Sequence, residues 1–179
     1  HALAACDQIQ VTTLEEAIDK LMSGFAVLAV DGCDFMIAFG VQGFTFRGIQ
    51  EPATEKAQKG SREGFVEPLQ INISMIRRRM KNPALTFERL ILGDESKTAV
   101  ALCYLRGTVS PEVVQRIRQA LRAAKLKTVL ASGYLTPFLE QGGVFSSVGS
   151  SERPDTVCGK VAEGRVAILV DGTPNALLV

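Results

Sequence analysis

Histidine is all but missing from this chain. The single one, His1, precedes a sequence with no initiator methionine and is expected to be an expression remnant. With it set aside, the usual imidazole base and metal ligand are both lacking. No CxxC pair or regular framework links Cys6, Cys33, Cys103 and Cys158, which favours a reducing compartment and cysteines acting as small buried apolar residues. No apolar run approaches the roughly 18 residues needed to cross a bilayer, and no charged leader precedes an apolar stretch, so the chain taken alone is expected to be soluble. Twenty Lys and Arg against 19 Asp and Glu leave a formal charge of +1, which gives no electrostatic case for nucleic acid.

Familiar reaction motifs are absent as well. There is no GxGxxG, GxSxG or HExxH pattern. Gly93-Asp-Glu-Ser-Lys97-Thr98 ends like a phosphate-binding loop but lacks the glycine before lysine, and a strand pattern follows where a helix should supply amide donors. Glu51, Glu55, Glu63 and Glu67 offer carboxylates for acid–base work, yet acids on turns and at a helix start need no such role. No catalytic residue, metal ligand or cofactor is expected, and the chain reads as a non-enzyme.

What is present is a globular composition, 46% hydrophobic and 22% charged, sufficient for one large domain or two small ones without staples. An internal echo organises it: Gly24-Phe-Ala-Val-Leu-Ala-Val-Asp-Gly32 returns 140 positions later as Gly164-Arg-Val-Ala-Ile-Leu-Val-Asp-Gly172. Each copy follows an expected helix, over 14–22 or 154–163, closed by a glycine suited to a left-handed C-terminal cap. Each Asp-Gly suits a tight turn into a further strand, 35–39 or 175–179. The continuous apolar runs imply strands buried on both faces. Asp31 and Asp171 admit two readings, turn residue or ligand-binding carboxylate, and the turn is favoured.

Between the echoes, apolar residues at helical spacing predict a helix over 62–80 with Ser61 as N-cap. Pro68 either kinks it near Phe65 or delays its regular part to about Glu67. Asn82-Pro83 stops it and is the best domain boundary. Strands over 85–92 and 99–105 form a hairpin, and Ser110-Pro111-Glu112 opens a helix with Val114, Ile117, Leu121 and Ala124 in one stripe. A strand over 127–131, a short helix over 134–140 and a Gly/Ser loop over 142–151 complete an α/β (α+β mixed) pattern of two small subdomains, each with a mixed β-sheet flanked by helices. The basic group Arg77, Arg78, Arg79 and Lys81 has three readings: a solvated helix end, a partner surface, or a contact with anionic lipid at about 1 kcal/mol per charge.

Several separated blocks resemble one family. They are Glu51-Pro52-Ala-Thr54-Glu55, Lys59-Gly60-Ser61-Arg62-Glu63-Gly64-Phe65-Val66-Glu67, Asn72, Ile76-Arg77-Arg78-Arg79, Gly133-Tyr134, Glu152-Arg153-Pro154-Asp155 and the stretch from Glu163 to Pro174. Together they are similar to the N-terminal soluble domain of spore germinant receptor A subunits, the GerA family, which includes the stage V sporulation AF proteins. Val144-Phe145-Ser-Ser-Val148-Gly149, Pro68 and Asn175 depart from the family pattern.

The resemblance implies that residues 1–82 are the C-terminal part of a first subdomain plus a connecting helix, and 83–179 a second α/β subdomain. It implies a domain on the cytoplasmic side of a spore inner-membrane protein, working with B and C subunits and other A subunits in nutrient-triggered germination. Candidate interaction or ligand residues are Glu51, Arg62, Glu63, Arg77, Arg78, Arg79, Arg153 and Asp155. Glu51, Arg62 and Glu63 are expected to cluster at the subdomain junction. Arg153 is expected to tie a helix start to a carboxylate and Asp155 to serve the helix pole. Direct binding of a small-molecule germinant in a cleft between subdomains is the alternative, and hydrolase or transferase activity a less favoured one.

Overall fold

A computed structural model describes residues 8–40, 63–140 and 148–179. Strand β1 (Gln8–Val11) leads into helix α1 (Leu14–Met22), whose Thr13 side chain accepts the Glu16 amide at its N-terminus. Strands β2 (Ala26–Ala29) and β3 (Met36–Phe39) then form a hairpin. The sheet order is β1-β3-β2, so the hairpin partner β3 sits between two strands that run the same way. Val11, Ala17 and Ala38 bury a small core under α1.

Helix α2 (Leu69–Arg79) leads to the long hairpin of β4 (Leu85–Leu92) and β5 (Thr98–Leu105). Helix α3 (Pro111–Ala123), a 3-10 turn (Ser132–Tyr134) and short helix α4 (Thr136–Leu139) follow. Strand β6 (Gly149–Ser151), helix α5 (Pro154–Ala162), and strands β7 (Ala167–Val170) and β8 (Ala176–Leu178) close the chain. The five-stranded sheet has the order β4-β5-β7-β8-β6. Residues of α2 and α5, including Ile76, Val157 and Val161, pack one face of it, while Val114, Ile117 and Leu121 of α3 pack the other. At roughly 1.5–3 kcal/mol per fully buried large aliphatic side chain, these two layers dominate the fold's stability.

The internal echo proves to be a structural repeat. Helix α5 occupies the positions of α1 displaced by 140 residues, and the pairs Val27–Ala38 and Leu28–Ile37 recur at the same displacement as Ala167–Leu178 and Ile168–Leu177. The first strands keep the register too, Ile9–Ala38 against Gly149–Leu178. Even the turn chemistry repeats. Gly24 and Gly164 both take positive φ, 88° and 95°, and each lies where the next amide returns to the helix, Phe25 to the Lys20 carbonyl and Arg165 to the Lys160 carbonyl.

Mixed α/β class and two sheets match the sequence expectation, but strand direction does not: every described pairing is antiparallel. The cause is the inserted hairpin strand, which separates the two parallel strands of each βαβ crossover. The stretch 127–131 is not a strand. Its backbone is used by the β4–β5 turn, with the Glu95 amide on the Lys127 carbonyl at 2.8 Å and the Thr98 hydroxyl on the Val129 carbonyl at 2.6 Å. Part of the expected Gly/Ser loop, Gly149–Ser151, is a strand. Strand β2 is largely exposed rather than buried on both faces, because it forms a sheet edge. The cysteines divide: Cys103 is buried, Cys158 half-buried and Cys33 exposed, while Cys6 lies outside the described residues.

Candidate functional site

Helix α2 carries three of the eight candidate residues, Arg77, Arg78 and Arg79, and its start explains their geometry. Residues 63–68 are not helical, and α2 begins at Leu69 with Pro68 as its N-cap. The chain before it is held by other bonds: the Phe65 amide donates to the Glu152 carbonyl at 2.8 Å, and the buried Asn72 side chain accepts from the Val66 amide at 2.9 Å while donating to the Val66 carbonyl. Asp171 from the β7–β8 turn accepts the Leu69 amide at 2.9 Å, and the Gly172 amide donates to the Glu67 carbonyl. A carboxylate 102 residues away thus caps α2. Neither sequence reading of Asp171, turn residue or ligand carboxylate, contained this role.

With the lead-in fixed, Glu63 reaches the end of α2. Its carboxylate accepts from Arg78 at 2.6 Å and from Arg79. Burial alone raises the Glu63 pKa, but the hydrogen bonds from Arg79 and Arg78 outweigh it and hold the carboxyl below its ordinary value. Arg79 also donates to the Met75 carbonyl at 3.3 Å. Glu51 and Arg62, expected beside Glu63, lie outside the described residues.

Arg153 and Asp155 pair with each other across Pro154, at 3.1 Å and 2.5 Å. The hydrogen bond from Arg153 is the main cause of the lowered Asp155 pKa. This pair stands at the start of α5, which packs against α2, and Cys158 on α5 feels the charges of both Arg79 and Asp155. Desolvation pushes the Cys158 thiol up to about 11, which removes it as a thiolate nucleophile near neutral pH. The elements around the α2–α5 packing thus carry two ion-paired groups, Glu63 with Arg78 and Arg79, and Arg153 with Asp155.

Arg77 faces elsewhere. Its guanidinium lies 4.8 Å from the centre of the Phe87 ring, a cation–π contact. Arg77, Arg78 and Lys81 line a cavity of about 240 Å³ whose far wall is the end of α1, at Leu21, Met22 and Gly24. Among the described residues no group of three His, Cys, Asp or Glu side chains is placed to hold a metal, and no helix is long and apolar enough to cross a membrane.

A duplicated βαββ frame, with its second copy built out by a hairpin and further helices, defines this as an α/β domain whose described candidate residues stand at the end of α2 and the start of α5. The family described as Bacillus/Clostridium GerA spore germination protein matches residues 1–179, and the chain belongs to that family. It is 40% identical over 166 residues to spore germination protein KA of Bacillus subtilis (strain 168), covering 92% of this chain and 30% of that protein. Stage V sporulation protein AF of the same organism is 30% identical over 172 residues, covering 94% and 35%. The crystal structure of the N-terminal domain of the A subunit of the Bacillus megaterium spore germinant receptor GerK3 superposes with a TM-score of 0.71 at 30% identity, covering 98% of this chain and 63% of that one. The chain thus spans about a third of the two curated relatives.

Proposed function

We propose that this domain serves nutrient-triggered spore germination as the N-terminal domain of a germinant receptor A subunit. It sits on the cytoplasmic side of the spore inner membrane and acts without catalysis, through contacts with the B and C subunits and with other A subunits. The observation that carries this reading is the exposed pair of cations at the end of α2, Arg77 and Lys81, which has no carboxylate partner among the described residues. Arg77 stands on a helix pinned at its start by Asp171 and at its end by the Glu63 pairs, and Lys81 lies just past that end. Such a rigid cationic edge suits an acidic partner surface, and membrane tethering raises effective concentration enough for a weak interface to suffice. Anionic lipid headgroups are a further target for the same charges.

The test is co-purification of B and C subunits with the solubilised receptor carrying Arg77→Glu and Lys81→Glu. The Glu63 pairs stay intact in this variant. Loss of B and C recovery from a folded A subunit is expected, and normal recovery contradicts the reading.

A second reading, small-molecule germinant binding, has one observation in its favour: the cavity between the end of α1 and α2. It predicts saturable heat when the 179-residue chain is titrated with a germinant, and loss of that heat on filling the cavity with Ser74→Trp.

A further inference from the structure

The cavity between the ends of α1 and α2 has a chemical bias beyond its size. Part of its wall is apolar: Leu21 and Met22 close α1, while Met80 and Leu85 come from the end of α2 and the start of β4. Leu21 is 48% exposed, a large aliphatic side chain left uncovered at the cavity wall. The charged part is cationic throughout, and among the described residues no acidic side chain lines the cavity. Arg78 is paired with Glu63, which leaves Arg77 and Lys81 to carry the unpaired charge. Arg77 is also held in place, because its guanidinium lies over the Phe87 ring, a contact that fixes the group without using its N–H donors on an acceptor. The α1 wall offers little to a cationic ligand. The Asp19, Lys20 and Leu21 carbonyls that end this helix already accept the amides of Ser23, Phe25 and Gly24.

We propose that this cavity binds a compact organic monoanion, a carboxylate on an apolar body, with the carboxylate at Arg77 and Lys81 and the body against the apolar wall. An inorganic anion leaves that wall unused, and an uncharged apolar molecule leaves both cations without a partner. The volume of about 240 Å³ lies below the ~300–1,000 Å³ of drug-sized pockets, so the body is small. Met22 and Met80 give the wall side chains that adapt to its shape. This assignment rests on the reading of the cavity as a small-molecule site and narrows what enters it.

Calorimetric titration of the 179-residue chain with benzoate, benzyl alcohol, benzylamine and acetate is the test. Benzoate is expected to bind saturably and on the order of tenfold tighter than benzyl alcohol or acetate, with no binding of benzylamine. Arg77→Gln combined with Lys81→Gln is expected to lower benzoate to the affinity of benzyl alcohol in a chain that stays folded by circular dichroism. Ser74→Trp is expected to abolish binding of both. Benzyl alcohol or benzylamine binding as tightly as benzoate overturns the anion assignment and leaves the cavity reading standing. Acetate matching benzoate, or a benzoate affinity unmoved by the double substitution or by Ser74→Trp, puts the anion outside the cavity and overturns the assignment too. Binding of none of the four probes overturns the assignment and the cavity reading together.

Discussion

Glu63 shows how a single residue's environment sets a measurable property. Its folded pKa lies below the ordinary value of 4.5, so the charged form is favoured by folding. The stability it contributes is fully present above that pH and is lost as the pH falls through the folded value. Glu88, held by Arg118 at 2.6 Å, and Asp155, held by Arg153, act in the same direction. Because the Glu63 pairs are partly exposed, screening limits them to about 0.2–1 kcal/mol. Urea unfolding at pH 7 and pH 3 is expected to show Glu63→Gln less stable than the parent at pH 7 and nearly equal to it at pH 3. An equal deficit at both pH values indicates that the charge does not matter. The partners of Glu63 were not legible in the sequence, since Arg78 and Arg79 lie 15 and 16 residues away and meet it only because the lead-in to α2 is non-helical.

At the scale of elements, legibility follows the strength of local signals. Ser110-Pro111 marks the start of α3, and the polar Gly93-Asp94 turn marks the β4–β5 hairpin. Strand β6 carried no apolar alternation, being Gly-Ser-Ser, and is a strand because β8 offers it an edge. The stretch 127–131 had the apolar pattern of a strand but lost its backbone partners to the adjacent turn. The start of α2 depended on Asp171, a contact across the chain that no local pattern encodes. That contact separates the two repeat copies, because exposed Asp31 has the same sequence setting and no α2 counterpart to cap among the described residues. Asp171→Ala is expected to cost about 0.5–2 kcal/mol, and Asp31→Ala to stay within about 0.5 kcal/mol. Chemical denaturation of the two variants checks this, and equal losses contradict the capping account.

For the whole molecule, the family was legible because its motif blocks are separated and ordered, while the duplication was legible as one nine-residue echo. The helix and hairpin of each copy were read as well, and what the sequence did not reveal is the first strand of each, β1 and β6, which completes a βαββ unit in constant register. The unit frames the functional account: α2 is anchored on the larger copy, against α5, β5 and β7, and turns its cationic end toward the smaller one. The most direct measurement is the rate of nutrient-triggered germination of spores whose receptor carries Arg77→Glu and Lys81→Glu, at receptor abundance matched by immunoblot. The account predicts a marked loss of germination with the receptor present at normal level; a normal rate at that level contradicts it.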